Sequence, residues 1–351
     1  MKLAIVSTTI NGEGGYLPFD RLAAKNKFFE VTFIIAGDTS SKPFNTSKFK
    51  CRVEYLSPKD QERFTISKLI GWKTQRRRNA AFLRALEINP DFILTIDDDN
   101  IPNSDYFDKW HKVLTEKVTK IVEPTKKVKP ANWHNYLKTA NGPIEMYARG
   151  FPTPFLWQNA TVVKKTKKPI DPKQIGIFQG ISLGDPDIDG RTRLVYPKHL
   201  PLTSIREKNY CLKNIWSPYN TQNTMYAKVL FPVAFMWPFA ERMDDIFASF
   251  MWQKILFNNN MYAHVGDAVN KQDRGVRDVF KNDFLTELEG YIHGHEVWAD
   301  INKITEKDPV RFVEKLMESS NDIIRRHRPY FKAHLKDLRR IYKKSAEKIH
   351  D

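Results

Sequence analysis

The chain has 351 residues, of which 41% are hydrophobic and 28% charged, a balance that supports a large buried core and excludes a disordered or fibrous protein. No apolar run approaches the roughly 18–20 residues of a membrane-spanning helix, the opening MKLAIVSTTING is too short in apolar residues for a secretion signal, and two cysteines, Cys51 and Cys211, form neither a disulfide framework nor a zinc site. A cytoplasmic protein is therefore expected, and its formal net charge of +16 favours phosphate-rich partners, whether nucleic acid, anionic membrane surfaces or nucleotides.

LAIVST (3–8) reads as a short buried strand, and FFEVTFIIAGD (28–38) contains a second that ends at Gly37-Asp38. CRVEYL (51–56) is a third, exposed on one face. The spacing predicts a helix from Ser67 to Leu86, with Leu69, Trp72, Ala80, Leu83 and Leu86 on one side. Asn89-Pro90 stops it, and DFILTID (91–97) is the fourth strand. Strands separated by helices predict an α/β fold with a parallel, doubly wound sheet. Ligands of such sheets bind beyond the carboxyl ends of the strands, where Ser7, Thr8, Asp38 and Asp97-Asp98-Asp99 fall.

From about 120 to 175 the sequence turns Lys- and Pro-rich, which predicts long loops around a short ordered piece. Residues 175–300 return to apolar and aromatic blocks, with DDIFASFMWQKILF (244–257) as an amphipathic helix. The last fifty residues read as helical. In the tail from Arg325 to Lys348, Leu335, Leu338, Ile341 and Tyr342 form one stripe under a basic outer face.

The stretch ILTIDDDNIP (93–102) sets three like charges at a strand end. Oxygen ligands in a polar cleft select a hard divalent cation, Mg²⁺ or Mn²⁺, whose shell is completed by phosphates. The competing reading is a capped turn, since Asp and Asn both favour turns. Lys73, Arg76, Arg77 and Arg78 just upstream either neutralise phosphates, brace the aspartates or form a solvated helix face. Asp244 and Asp245 open a helix, where the macrodipole alone would favour them. The stretch GDPDIDGRTR (184–193) is either a turn or a loop over a ligand.

Several stretches carry a resemblance: RRNAAFLRAL, TIDDDN, ARGFP, FQGISLGDPDIDGRTRL, LFPVAFM, ERMDDIFASFMWQKIL and, more weakly, NKQDRGVRDVFKNDFLTELEGY. In that order, over roughly residues 1–292, the chain resembles nucleotide-sugar glycosyltransferases of the GT-A fold. More specifically, it is similar to the reversibly glycosylated polypeptides (UDP-arabinopyranose mutases) and to the STELLO-type proteins.

The resemblance implies a Rossmann-like mixed sheet. It divides the chain into a nucleotide-sugar-binding half (1–120), an acceptor and catalytic half of the same domain (121–300) and a basic helical extension (301–351). It implies that Asp97 and Asp99 hold Mn²⁺ or Mg²⁺, with His264 as a third ligand, and that Asp97 and Asp98 meet the donor. Ser7, Thr8 and Asp38 would lie near base and ribose, and Arg77 near the diphosphate. Arg149 matches the arginine that becomes glycosylated in mutases, whereas Leu156 stands where mutases carry a second arginine. Asp245, with Asp244 in reserve, would activate the acceptor. The implied donor is a UDP-sugar, a pentose such as arabinose among the candidates. The activity is glycosyl transfer, with a sugar-nucleotide mutase, a transferase acting on glycans or lipid-linked saccharides, or a non-catalytic sugar-nucleotide-binding scaffold as the alternatives. The +16 charge adds the expectation of a polyanionic acceptor, with DNA bearing hydroxymethylated pyrimidines first.

Overall fold

A computed structural model describes the chain except residues 126, 128, 130, 159, 160, 197–199, 273, 274, 276 and 348–351. Strands β1 (Lys2–Thr8), β2 (Glu30–Ala36), β3 (Arg52–Leu56) and β4 (Phe92–Ile96) form a parallel half-sheet in the order β3-β2-β1-β4. From β1 the chain winds outward through β2 to β3, then returns to place β4 on the other flank of β1. The ends of β1 and β4 thus bracket a topological switch point.

The remaining strands are β5 (Asn100–Pro102), β6 (Val118–Pro124), β7 (Ala140–Asn141), β8 (Thr161–Ile170), β9 (Ile175–Gly184), β10 (Ser204–Ile205), β11 (Tyr210–Leu212), β12 (Asn223–Ala227) and β13 (Tyr262–Gln272). The sheet continues from β4 as β12-β9-β13-β11-β6-β8, with β12 antiparallel to both neighbours. The mixed α/β architecture matches the sequence expectation.

Alternate residues of β1 feed two cores, because strand side chains alternate faces. Leu3 and Ile5 join Phe19 and Ala23 of α1 (Leu17–Ala23) and Phe107 and Trp110 of the helix Tyr106–Thr115. Ala4 and Val6 join a larger core with Ala80, Leu83 and Leu86 of the helix Arg78–Glu87. Both faces are covered, so the strand runs read as continuously apolar.

The helices after α1 are α2 (Pro58–Gln61), α3 (Ser67–Ile70), α4 (Arg78–Glu87), α5 (Tyr106–Thr115), α6 (Gly190–Val195), α7 (Asp244–Asn258), α8 (Leu285–Lys303), α9 (Pro309–Leu316) and α10 (Asp322–Glu347). α10 packs on α3, α4 and α9, so the C-terminal extension is helical as expected. Leu335, Leu338 and Ile341 are buried, but Tyr342 is 44% exposed and lies off the stripe. Among the described residues no helix is long and apolar enough to cross a membrane.

Three local expectations are corrected. The helix expected from Ser67 to Leu86 is broken into α3 and α4, because Gly71 (φ 76°) and Lys73 (φ 60°) take left-handed backbone. The 120–175 stretch contains most of β6, the short β7 and all of β8, and the exposed lysines of β6 and β8 hid their strand pattern. α7 is buried on nearly every side, from Asp244 to Leu256, so it is a central helix and not an amphipathic surface one.

Candidate active site

At the carboxyl ends of the parallel strands, the small hydroxyls face inward. Ser7 Oγ donates to the Ile96 carbonyl at 2.7 Å and accepts from the Tyr16 hydroxyl at 3.0 Å. Thr8 Oγ1 donates to the Ala36 carbonyl at 2.8 Å. Both tie neighbouring strand ends together. Asp38 accepts the backbone N–H groups of Lys73 (2.7 Å) and Thr74 (3.2 Å). Burial alone would raise its pKa, but these amides outweigh it and hold the carboxyl below its ordinary value. Asp38 thereby stabilises the break between α3 and α4.

Arg77, expected near the diphosphate, is turned inward and spends its guanidinium on protein groups. It is wholly buried, with Nε on Gln61 Oε1 (2.7 Å), Nη2 on Ser67 Oγ (2.7 Å) and Nη1 on the Ser67 and Gly71 carbonyls. Its guanidinium lies 3.8 Å from the centre of the Trp72 ring, and burial pulls its pKa down to about 10. It braces the α3–α4 break from below. The next residue, Arg78, turns to the aspartates instead, with Nη2 2.5 Å from Asp97 Oδ1 and Nη1 2.7 Å from Thr221 Oγ1.

The three aspartates relieve their mutual repulsion by turning to different partners. Asp97 meets Arg78, while Asp98 Oδ2 accepts from Thr9 Oγ1 (2.5 Å) and Asn11 Nδ2 (3.2 Å). Both oxygens of Asp99 accept from Gln272 Nε2, at 3.0 and 3.1 Å. The loop after β1 presses on this turn so closely that a Cβ on Gly15 would sit 2.0 Å from the Asp98 carbonyl oxygen.

Asp97 also lines a small polar cavity of about 50 Å³, together with Arg149, Asp187, Asn220, Arg242 and Asp245. Arg149 is clamped between two carboxylates. Its Nη2 donates to Asp187 Oδ2 at 2.8 Å, and its Nη1 to Asp245 Oδ1 at 2.9 Å. Burial would lower the guanidinium pKa, but Asp187 and Asp245 outweigh it and hold it well above the ordinary value. Its guanidinium is thus fixed between two carboxylates.

Asp245 is held further by the Thr221 N–H at 2.9 Å. Asp187 accepts from Asn220 Nδ2 (3.0 Å) and pairs with Arg242 (3.2 Å), which in turn meets Glu287 (3.0 Å) and Asp283 (3.3 Å). Asp244 does not line the cavity; it accepts from Gln75 Nε2 (2.9 Å), a lining residue, and from Arg76 Nε (3.1 Å). Burial and the neighbouring Asp245 raise its pKa to about 6.

Arg149 is delivered to this clamp by Gly150. That residue has φ 82°, and a Cβ there would lie 2.1 Å from Ile246 Cγ2, next along α7 from Asp245. Asp97, Arg149 and Asp245 all line this one cavity. Asp187 lay inside GDPDIDGRTR and Arg242 inside ERMDD, but neither had been singled out. Asn220 and Thr221 carry no sequence signal.

His264 does not join the aspartates. It sits mid-sheet on β13, paired with Cys211 on β11 and Phe178 on β9, and burial pulls its pKa down to about 3. Three strand steps separate β13 from β4, about 14 Å along the sheet. Among the described residues no three His, Cys, Asp or Glu side chains converge to hold a metal. Asp97 and Asp99 remain as a pair, the Asp97 side chain 30% exposed and Asp99 exposed. Two carboxylates suffice for Mg²⁺ when substrate phosphates supply further oxygens.

No family model and no curated protein matches this chain. Among solved structures, it is similar to residues 1–349 of TarS from S. aureus in complex with UDP-GlcNAc, at 10% identity and TM-score 0.38, over 96% of this chain and 72% of that one. It is also similar to the galactosyltransferase LgtC, at 11% identity and TM-score 0.20, over 42% of this chain and 54% of that one. Mouse xyloside xylosyltransferase 1 matches at 12% identity and TM-score 0.23, over 76% and 79% respectively. Likeness at that level assigns no residue a role.

Proposed function

We propose that the protein is a glycosyltransferase that moves a sugar from a nucleoside-diphosphate sugar to an acceptor hydroxyl. One observation carries this reading: Asp97, at the end of a parallel strand beside the switch point, shares a buried polar cavity with Asp245 and its clamp Arg149–Asp187. A donor-facing carboxylate and an inner carboxylate held in fixed orientation are what transfer between two substrates requires.

In this reading the donor lies over the ends of β1, β2 and β4. Asp97 and Asp99 would hold Mg²⁺ or Mn²⁺, which stabilises the departing diphosphate as a Lewis acid when bound. Arg78 adds positive charge beside Asp97. The cavity, about 50 Å³, has room for one or two water-sized groups, so an acceptor hydroxyl enters it while the sugar ring stays outside. Asp245 takes the hydroxyl proton as the new bond forms, and Arg149 keeps that carboxylate aimed.

The finer identity follows the resemblance: a UDP-linked donor, with a pentose such as arabinose among the sugars. Transfer is favoured over mutase activity because Leu156 stands where mutases carry a second arginine. The +16 charge supports a polyanionic acceptor, with DNA bearing hydroxymethylated pyrimidines first.

The test is product mass after incubation with a panel of donors and acceptors, with and without chelator. A glycosyl gain on an acceptor, lost in chelator and in Asp99→Asn, is the expected result. Conversion of a nucleotide sugar without acceptor would show a mutase. Donor binding without turnover would show a scaffold.

A further inference from the structure

One side chain in the cavity is left unengaged. Gln222 lines it and is only 6% exposed, yet its Nε2 has no hydrogen-bond partner among the described residues. Its neighbours in sequence are committed: Asn220 Nδ2 donates to Asp187 at 3.0 Å, and Thr221 Oγ1 donates to Asp245 at 3.2 Å. Arg78, another lining residue, gives its Nη groups to Thr221 and Asp97, while its Nε is a second buried donor without a partner among the described residues.

Strand register explains how Gln222 comes to lie there. β12 begins at Asn223, directly opposite Ile96 of the antiparallel β4, so Gln222 falls beside Asp97. Its backbone N–H is turned to Asn220 Oδ1 at 3.2 Å. The residue is thus fixed at its root and unpaired at its tip. A buried N–H without a partner costs stability, and native proteins rarely keep one without a use.

The unpaired donor defines what fits. Ionised Asp97, Asp187 and Asp245 offer only acceptors, so an entering group must donate to a carboxylate and accept from Gln222. A hydroxyl does both: its O–H donates to Asp245, and its oxygen keeps two lone pairs. One accepts from Gln222 and the other attacks the sugar carbon. A neutral amine has a single lone pair, so accepting from Gln222 leaves it none to attack with, and an ammonium has none at all.

We infer that Gln222 holds the acceptor oxygen and makes the site choose a hydroxyl over an amine. The inference rests on the transfer reading above. In the step, the acceptor oxygen bonds to the sugar carbon as its proton passes to Asp245. The bond from that carbon to the diphosphate oxygen breaks, and its electron pair leaves with the diphosphate.

The experiment begins with product mass for the native chain, using UDP-sugars against glycerol, glycans and duplex DNA bearing hydroxymethylated pyrimidines. The acceptor that gains mass is then compared with its counterpart carrying an amine at the reacting position. Gln222→Met, close in length but without an amide, should raise the KM for the hydroxyl acceptor and lower its kcat/KM about tenfold, the scale of one hydrogen bond. The donor KM should hold, and the melting temperature should stay or rise, since the unpaired donor is gone. The hydroxyl-to-amine ratio of kcat/KM, which does not depend on the fraction folded, should fall. Unchanged acceptor kinetics and ratio in the variant would overturn the inference and leave the transfer reading standing. So would a lower melting temperature with equal loss toward both acceptors, which marks a structural residue, or a rise in donor KM alone. No mass gain on any acceptor overturns the transfer reading, and this inference with it.

Discussion

Asp244 and Asp245 are adjacent, both buried, and put to different uses. Asp245 faces the cavity with Arg149 and Thr221 around it, whereas Asp244 anchors Gln75 and Arg76. Asp245→Asn is therefore expected to lower kcat by roughly 10²–10⁴-fold with donor affinity nearly kept, as loss of a general base does. Asp244→Asn should lower it far less. Steady-state kinetics beside donor titration checks the split, and collapse of donor binding in Asp245→Asn would make that residue a donor ligand.

Asp244 also predicts a pH dependence of stability. Its pKa rises from 3.8 when unfolded to about 6 when folded. Folding is then favoured fully below about pH 4, and that contribution is lost as pH climbs through 6, an effect on the order of 3 kcal/mol at most. Chemical denaturation at pH 4 and 7 should show Asp244→Asn gaining stability relative to the native chain at the higher pH. A constant difference would mean that Arg76 compensates the charge completely.

At the scale of elements, turns and helix starts place the site. The segment Ala148–Gly150 must make a left-handed turn under α7, and only glycine fits. Gly150→Ala adds left-handed strain of about 1–3 kcal/mol and a clash with Ile246 of similar size. Thermal melting should show a large loss, and activity should fall because Arg149 is next in the chain. Adding Ile246→Ala should recover part of the stability, and no recovery would place the whole cost in the backbone. The strands around this turn were legible where burial made them continuously apolar, as in β1, β2 and β4. The edge strands β6 and β8 were not, since their run of exposed lysines interrupts the apolar pattern that marks a strand.

Over the whole molecule, a buried ionic network joins distant parts of the chain. Arg78 and Asp97 at the end of the parallel half meet Thr221; Thr221 meets Asp245; Arg149 links Asp245 to Asp187; and Arg242 extends the path to Asp283 and Glu287. Removing one ion from such a path leaves others buried without a match. Arg149→Ala is expected to cost roughly 3–5 kcal/mol for this reason. Equilibrium unfolding measures it, and a loss under about 1 kcal/mol would show that water enters and screens Asp187 and Asp245.

The amino-acid sequence alone determined the parallel half-sheet, the acidic strand end and the helical tail, because each rests on local order: apolar runs, a break at Asn89-Pro90, helical spacing. It also marked Asp97, Arg149 and Asp245 as residues of interest. Which of them meet was decided only by tertiary structure. Arg77 and Arg78 are neighbours of one type, and the turn of the helix start sends one beneath Trp72 and the other to Asp97. His264 is polar in a strand like many ligands, but register sets it against Phe178 and Cys211, far along the sheet from the aspartates. Burial, register and partner choice depend on contacts between distant segments, and no local pattern encodes them.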